Sequence, residues 1–307
     1  MYRALSLVKE LKRNGKDCVI YCNNHSKSLS IIEDVGIQYD IVEDLQATDG
    51  WQKKLIVRDN ISIWIDDRLD TLLNHSVTVK KTDTALATFD NHGSGAEMCD
   101  LNIAALYFGG IENLLGKLKF SGVEYLILNQ DILKYSRLRH KLERILVTMG
   151  GSDTYGVTID VIRHLKKIGR KATILIGPAF EHHKELRKEL NDDFELKIAV
   201  PSLIEEFLNY DLAITGGGIT PFEANASGLP CLVVANEDFE IPVGKELEKL
   251  GGSRFLGHHS KLPFEGFEIP NNLKEMSIAG QDNIKLDGLT KVTHALMKLE
   301  KENRICL

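Results

Sequence analysis

The stretch "DLAITGGGITPFEANASGLPCLVVANEDFE", Asp211 to Glu240, sets three consecutive glycines between an apolar run and a helix start, and follows them with a second apolar run. Uninterrupted apolar strands are those covered on both faces, so "LAIT" and "CLVVA" read as strands of a parallel sheet joined by a helix. Thr220 and Pro221 mark the helix start, because the N–H that proline lacks has no partner in a first helical turn. Gly216, Gly217 and Gly218 let a ligand approach the backbone with no Cβ in the way. Free amides and the positive end of the helix favour an anion there. Glu223 follows on the first turn. Its carboxylate disfavours a bare phosphate at its own position but is suited to accept hydrogen bonds from two neighbouring hydroxyls, such as a ribose diol. The combination points to a nucleoside diphosphate. The structural alternative is a tight turn that glycine merely fits, with an acid that complements the helix dipole.

The same alternation of strand and helix extends in both directions. Upstream, "RILVTMGGSD" is a strand followed by Gly150, Gly151, Ser152 and Asp153, a second glycine-containing loop at the carboxyl end of a strand, where open α/β sheets bind ligands. Neither loop is a GxxxxGK[ST] or a GxGxxG fingerprint, which weighs against triphosphate hydrolysis and nicotinamide chemistry. In the first half, "MYRALSLVKELKRNG" is an amphipathic helix with a glycine stop, "DCVIYC" and "IQYDIV" are strands around the helix "SLSIIEDVG", and "ISIWIDD" is an apolar strand ending in Asp66 and Asp67. The expected fold is α/β with two Rossmann-like domains. The charged segment from Lys134 to Glu143 is the expected joint, giving domains over residues 1–138 and 139–307.

With 43% hydrophobic residues in 307, the chain can bury a full core. Its formal charge of -6 with no basic block argues against a nucleic-acid surface. Cys18, Cys22, Cys99, Cys231 and Cys306 form no CxxC or zinc spacing, as expected of reduced thiols in the cytoplasm. No apolar run approaches the roughly 20 residues that span a bilayer, and the N-terminus lacks a signal-peptide cleavage site, so no stable membrane insertion is expected. The adjacent pairs His182/His183 and His258/His259 read as surface residues and not as metal ligands; no metal and no cofactor are implied. His92, in "FDNHGSG" after a strand-like run, and Asp66, at its strand end, are the candidate catalytic residues. Asp66 and Asp67 together could orient water or a sugar hydroxyl, with one pKa raised by the other. The alternative for Asp67 is a cap on a helix at "RLDTLL".

Five segments carry a family resemblance: "IDDR", "FDNHGSGAEMCDLNI", "GVEYLILNQDI", "ILVTMGGSD" and "YDLAITGGGITPFEANASGLPCLVV". In order and spacing they resemble the pseudaminic-acid UDP-sugar hydrolases and their spore-coat-polysaccharide relatives. The C-terminal half is also similar to the UDP-N-acetylglucosamine transferase of peptidoglycan synthesis. The resemblance implies a GT-B fold with two domains facing a cleft, and a UDP-linked amino sugar as partner. It implies that the glycine turn with Thr220 holds the diphosphate and that Glu223 holds the ribose. Ala199 and Val200 would lie near the uracil, and Gly150, Gly151, Ser152 and Asp153 would face the cleft. The reaction implied is hydrolysis at the anomeric carbon, with a glycosyltransferase or an inactive sugar-nucleotide-binding protein as the alternatives. Members of the family begin with a strand and GxGHxxRxLxLA, whose histidine activates water. Here Arg3 matches the motif arginine and Leu5 and Leu7 its apolar positions, which implies that the strand and the histidine lie upstream of Met1.

Overall fold

The computed structural model describes residues 2–262 and 266–305. The chain forms two compact units, one running to Leu128 and resuming at Leu286, the other spanning Asn129–Lys285.

In the first unit the elements are α1 (Tyr2–Arg13), β1 (Ile20–Cys22), α2 (Ser26–Val35), β2 (Tyr39–Ile41), α3 (Trp51–Asp59), β3 (Ile63–Asp66), α4 (Leu73–Lys80), β4 (Ala85–Phe89), β5 (Leu101–Ala104) and β6 (Leu118–Ser121). They make two separate parallel sheets, β1-β2 and β3-β4-β5-β6. α1 is amphipathic. Its Leu7 and Leu11 pack with the β3–β6 sheet, and its Leu5 and Val8 pack with residues of β1, β2 and α2.

The second unit contains β7 (Ile145–Thr148), α5 (Val157–Lys167), β8 (Ala172–Ile176), α6 (His183–Glu189), β9 (Phe194–Ile198), α7 (Leu203–Glu206), β10 (Leu212–Gly216), α8 (Thr220–Ala226), β11 (Cys231–Ala235), α9 (Glu240–Lys249), β12 (Ser253–His258) and α10 (Leu273–Asn283). Its sheet has the order β12-β11-β10-β7-β8-β9 with every pair parallel. Every residue of β7, β8, β10 and β11 is buried, the pattern of strands with helices on both faces.

Two features differ from the sequence-based division of the chain. The segment around residue 138 belongs to the second unit because two arginines tie it there. Arg137 donates to the carbonyls of Leu208 and Tyr210 and to Asp211, each at 2.9 Å. Arg139 is fully buried, and its guanidinium donates to the carbonyls of Arg137, Phe207, Tyr210 and Ser227. Burial lowers its pKa to about 9, which leaves it charged at neutral pH. The last helix, α11 (Gly288–Ile305), packs on the first unit through Val292, Leu296 and Leu299.

Replacing Arg139 would strand several buried carbonyls at once. Arg139→Ala is expected to cost about 3–5 kcal/mol of unfolding free energy in urea denaturation. Arg139→Lys is expected to recover little, because an ammonium cannot reproduce the planar fork. A variant within ~1 kcal/mol of the parent would show that the carbonyls find other donors.

Candidate functional site

The order of the second sheet creates a switch point. From β7 the chain winds through β8 to β9 on one side, then returns to β10 beside β7 and winds through β11 to β12 on the other. Thr148 and Thr215 are in register across the β7–β10 pair. The loops that follow them, with Gly150 and Gly151 on one and Gly216, Gly217 and Gly218 on the other, therefore leave the sheet side by side. Such crevices at the carboxyl ends of parallel strands are where open α/β sheets take ligands.

The three consecutive glycines have different reasons to be there. A Cβ on Gly216 would meet Asn236 Nδ2 at 2.8 Å, and one on Gly217 would meet Glu240 Cβ at 2.8 Å. Packing within the unit demands both. A Cβ on Gly218 would meet nothing within 4 Å, and its φ lies outside the left-handed region. Neither packing nor backbone conformation explains the third glycine. The amides divide in the same way. Gly217 N–H donates to Glu240 Oε2 (3.3 Å), and the same oxygen accepts Asn236 N–H (2.7 Å), tying the loop after β10 to the loop after β11. The amides of Gly218 and Ile219 have no hydrogen bond within the described residues. Close packing also fixes the other loop: a Cβ on Gly177, after β8, would lie 2.4 Å from the Gly151 carbonyl oxygen.

Glu223, on the first turn of α8, makes no side-chain hydrogen bond or ion pair among the described residues, and burial pushes its carboxyl up to about 7. Thr220 presents a hydroxyl with no partner in the same set. The amide oxygen of Asn236 is buried and unpaired. Asp153 is committed within its unit: its carboxylate accepts Val157 N–H (2.8 Å) and Thr158 N–H (3.0 Å) and so caps α5. Ser152 Oγ lies 3.1 Å from Thr154 Oγ1 on the exposed loop. After β9, Ala199 takes a left-handed backbone (φ 46°), unusual for a residue with a Cβ, and half-buried Val200 follows it. Asn236, Glu240 and Gly177 were not singled out in the sequence. The first two lie just after the apolar run "CLVVA", a position that marks a carboxyl-end loop.

The carboxyl end of the first unit's larger sheet is dense with charge, and its acids are partnered. Asp66 and Asp67 do not pair with each other. Buried Asp66 holds His75 Nε2 at 2.8 Å and Arg68 at 2.9 Å, while Gln52 contacts the other ring nitrogen of His75. Burial alone would raise Asp66, but the hydrogen bond and charge of His75 and the charge of Arg68 outweigh it and hold the carboxyl below its usual range. The expectation of a raised pKa from a paired carboxylate is corrected on this ground. Asp67 caps no helix, since α4 begins only at Leu73; it binds Arg3, which also binds Asp90 and lies over the Phe89 ring at 4.6 Å. His92 is exposed on the loop after β4, its ring 5.9 Å from that of Tyr107. Among the described residues no group of three His, Cys, Asp or Glu side chains is arranged to hold a metal ion, and no helix is long and apolar enough to cross a membrane.

No protein-family model matches the chain. It is 25% identical over 319 aligned residues to the uncharacterized protein MJ1062 of Methanocaldococcus jannaschii, across 92% of this chain and 65% of that one, so it spans about two thirds of that relative's length. It is 24% identical over 267 residues to the spore coat polysaccharide biosynthesis protein SpsG of Bacillus subtilis, across 81% of this chain and 77% of that one. Among solved structures, MurG of Acinetobacter baumannii superposes with a TM-score of 0.68 at 11% identity, covering 97% of this chain and 95% of that one. S. aureus MnaA, solved with UDP, gives 0.64 at 15% identity, covering 94% and 91%. The fold is that of the GT-B proteins, α/β with two Rossmann-like halves.

The unpaired Glu223 makes stability depend on pH. Its folded pKa lies above its ordinary 4.5, so the folded state holds a proton that the unfolded state has lost between about 4.5 and 7. Its contribution is therefore most favourable below pH 4.5 and is lost as pH rises to 7, by on the order of 3 kcal/mol at most. Glu223→Gln should remove that slope and be the more stable protein at pH 7.5, measured by urea denaturation at pH 5 and 7.5. Parallel profiles for the two proteins would mean that the carboxylate is already ionised at pH 5.

Proposed function

We propose that the chain binds a UDP-linked amino sugar through the second unit and hydrolyses it at the anomeric carbon, in surface-polysaccharide or nonulosonate biosynthesis. The observation that carries the reading is Glu223, a half-buried carboxylate without a partner among the described residues, one turn beyond Gly218, whose missing side chain has no explanation in packing. A vicinal diol supplies the two donors that this carboxylate lacks. The free amides of Gly218 and Ile219 suit the diphosphate. The resemblance to the UDP-sugar hydrolases and the likeness of fold to MnaA, solved with UDP, support uridine as the nucleoside. In the reaction a water oxygen bonds to the anomeric carbon as the bond to the β-phosphate oxygen breaks. UDP leaves with the bonding pair, and the water's proton passes to a base. Within this chain His92 is the candidate base.

Binding tests come first. Glu223→Ala should weaken UDP by roughly 1–3 kcal/mol and pyrophosphate much less, because only the ribose contact is lost. Gly218→Val should abolish UDP binding with little change in melting temperature. Gly217→Val should lower the melting temperature, since its side chain meets Glu240. Calorimetry showing equal losses for UDP and pyrophosphate in Glu223→Ala would remove the ribose role.

The reaction is tested by NMR with a UDP-amino-sugar. Acceptor-independent release of free sugar with inverted anomeric configuration supports hydrolysis. Release only with an added sugar or lipid acceptor makes the protein a transferase, and binding without turnover makes it a sugar-nucleotide-binding protein. His92→Ala is expected to slow the release 10²- to 10⁴-fold, the usual worth of a general base. Unchanged turnover in His92→Ala would remove it as the base.

A further inference from the structure

α8 carries Glu223 and has only two turns, so the placing of that carboxylate depends on what grips the helix at its other end. That end is held without slack. Gly228 follows the helix with a left-handed backbone (φ 78°), and the amides of Gly228 and Leu229 donate to the carbonyls of Asn225 and Ala224, each at 2.8 Å, which closes the last turn. A Cβ on Gly228 would lie 2.5 Å from the Arg137 carbonyl oxygen, and one on Gly280 of α10 would lie 2.8 Å from the Asn225 carbonyl oxygen. Backbone therefore packs on backbone there, with no side chain between to give way.

The carbonyls of Ser227 and Gly228 lie outside that turn, and a buried polar cluster takes them. Ser227 C=O accepts Arg137 N–H (3.1 Å) and the Arg139 guanidinium. Gly228 C=O accepts the Ser277 hydroxyl, and the same Ser277 oxygen accepts Arg139 N–H (3.1 Å). Arg139 and Ser277 are both fully buried. A cation at the carboxyl end of a helix also meets the negative end of its dipole. Within the helix Ser227 N–H donates to the Glu223 carbonyl (3.1 Å), so one helical hydrogen bond separates the residue that Arg139 holds from the acid.

The cluster is assembled from two segments far apart in sequence. Arg137 and Arg139 come soon after the chain enters the second unit at Asn129, and Ser277 and Gln281 come shortly before it leaves at Lys285. Gln281 Nε2 donates to Ser136 Oγ (2.6 Å) and joins the two. Burying a guanidinium is costly, and apolar packing serves stability at least as well. What the guanidinium adds is direction, because its planar fork holds the carbonyls of Phe207, Tyr210 and Ser227 in one arrangement.

We propose that Arg139 and Ser277 are positioning residues for Glu223: they fix the carboxyl end of α8 and thereby hold the carboxylate, one turn away, where a ribose diol meets it. The inference rests on the assignment of Glu223 to the ribose. Two residues that do not touch the ligand then set its affinity, and by linkage a ligand on Glu223 steadies their cluster in turn.

The test is Ser277→Ala, which removes the bond to Gly228 and the acceptor of Arg139 N–H but keeps the guanidinium. α8 packs against β10, β11 and α10, and burial is what raises the Glu223 carboxyl to about 7, so that carboxyl reports how firmly the helix is held. Followed by carbon NMR without ligand, it should titrate at least ~0.5 pH unit lower in Ser277→Ala than in the parent, because a loosened α8 lets water reach it. Val161→Ala, which opens a cavity under α5, is the control for lost stability and should leave the midpoint in place. With UDP as the probe, calorimetry should show about 5-fold weaker binding in Ser277→Ala, little change for pyrophosphate, and no further loss when the change is added to Glu223→Ala. A parent that does not bind UDP removes the ribose assignment, and the ligand-free titration then decides the positioning by itself. Should Ser277→Ala not fold, the parent answers alone: the Arg137 and Arg139 amide resonances should shift with the Glu223 midpoint and stay still in Glu223→Gln, and amides that ignore Glu223 overturn the proposal. A midpoint unmoved in Ser277→Ala, or moved as far in Val161→Ala, overturns it, as do additive losses of UDP affinity in the double variant.

Discussion

The second unit's site depends on three loops coming closer together than side chains allow. The carbonyl of Gly151 sits where a Cβ on Gly177 would be, Asn236 occupies the space beside Gly216, and Glu240 that beside Gly217. Glu240 then locks the arrangement by accepting the amides of both Gly217 and Asn236 through one oxygen. The rigidity follows from close packing and charge-assisted hydrogen bonds, with no contribution from a ligand. What remains unused after that packing is narrow: the open side of Gly218, two backbone amides, the hydroxyl of Thr220 and the carboxylate of Glu223. A site already held in place loses little freedom when it binds.

The two units treat their acids in opposite ways. At the carboxyl edge of β3 and β4, Asp66, Asp67 and Asp90 are each held by a cationic or imidazole partner, and Asp66 stays ionised although buried. Glu223 is half-buried but has no such partner among the described residues, and its carboxyl rises to about 7. Burial acts in the same direction on Asp66 and Glu223; the difference is the neighbouring charge. A satisfied carboxylate such as Asp66 serves to fix the loop after β3 against α4. An unsatisfied one has its hydrogen-bonding capacity in reserve.

What the sequence made legible was local. Apolar runs ending in glycine, aspartate or asparagine marked the strands β3, β7, β10 and β11 and their carboxyl ends, and the contrast of Pro221 with three preceding glycines marked the start of α8. The pairing of β7 with β10 was not legible, because 60-odd residues separate them and parallel pairing leaves no trace in local periodicity. Arg139 looked like part of a charged linker; its burial depends on carbonyls contributed by residues around 207–227, far along the chain. The same holds for α11, whose Val292, Leu296 and Leu299 declare an amphipathic helix without saying which sheet it covers. The division of the glycines into two structural and one open also had to wait for the positions of Asn236 and Glu240. Identity alone says that a Cβ is absent, and only geometry says what takes its place.

α1 explains how the first unit stays together with its sheet in two pieces. Leu7 and Leu11 belong to the core beneath β3–β5, and Leu5 and Val8 to the smaller core of β1, β2 and α2, so one helix is shared between both. Side chains three or four positions apart lie close on a helix, and a span of seven residues suffices to reach both cores. The ring stack of Tyr21 on Trp64 makes a second bridge on the other face. Both bridges are made by side chains, which can adjust in rotamer. The larger sheet's carboxyl edge, where Arg3 meets Asp67 and Asp90, is thus organised by the same helix that both cores share. Whatever sets the position of α1 also sets that edge.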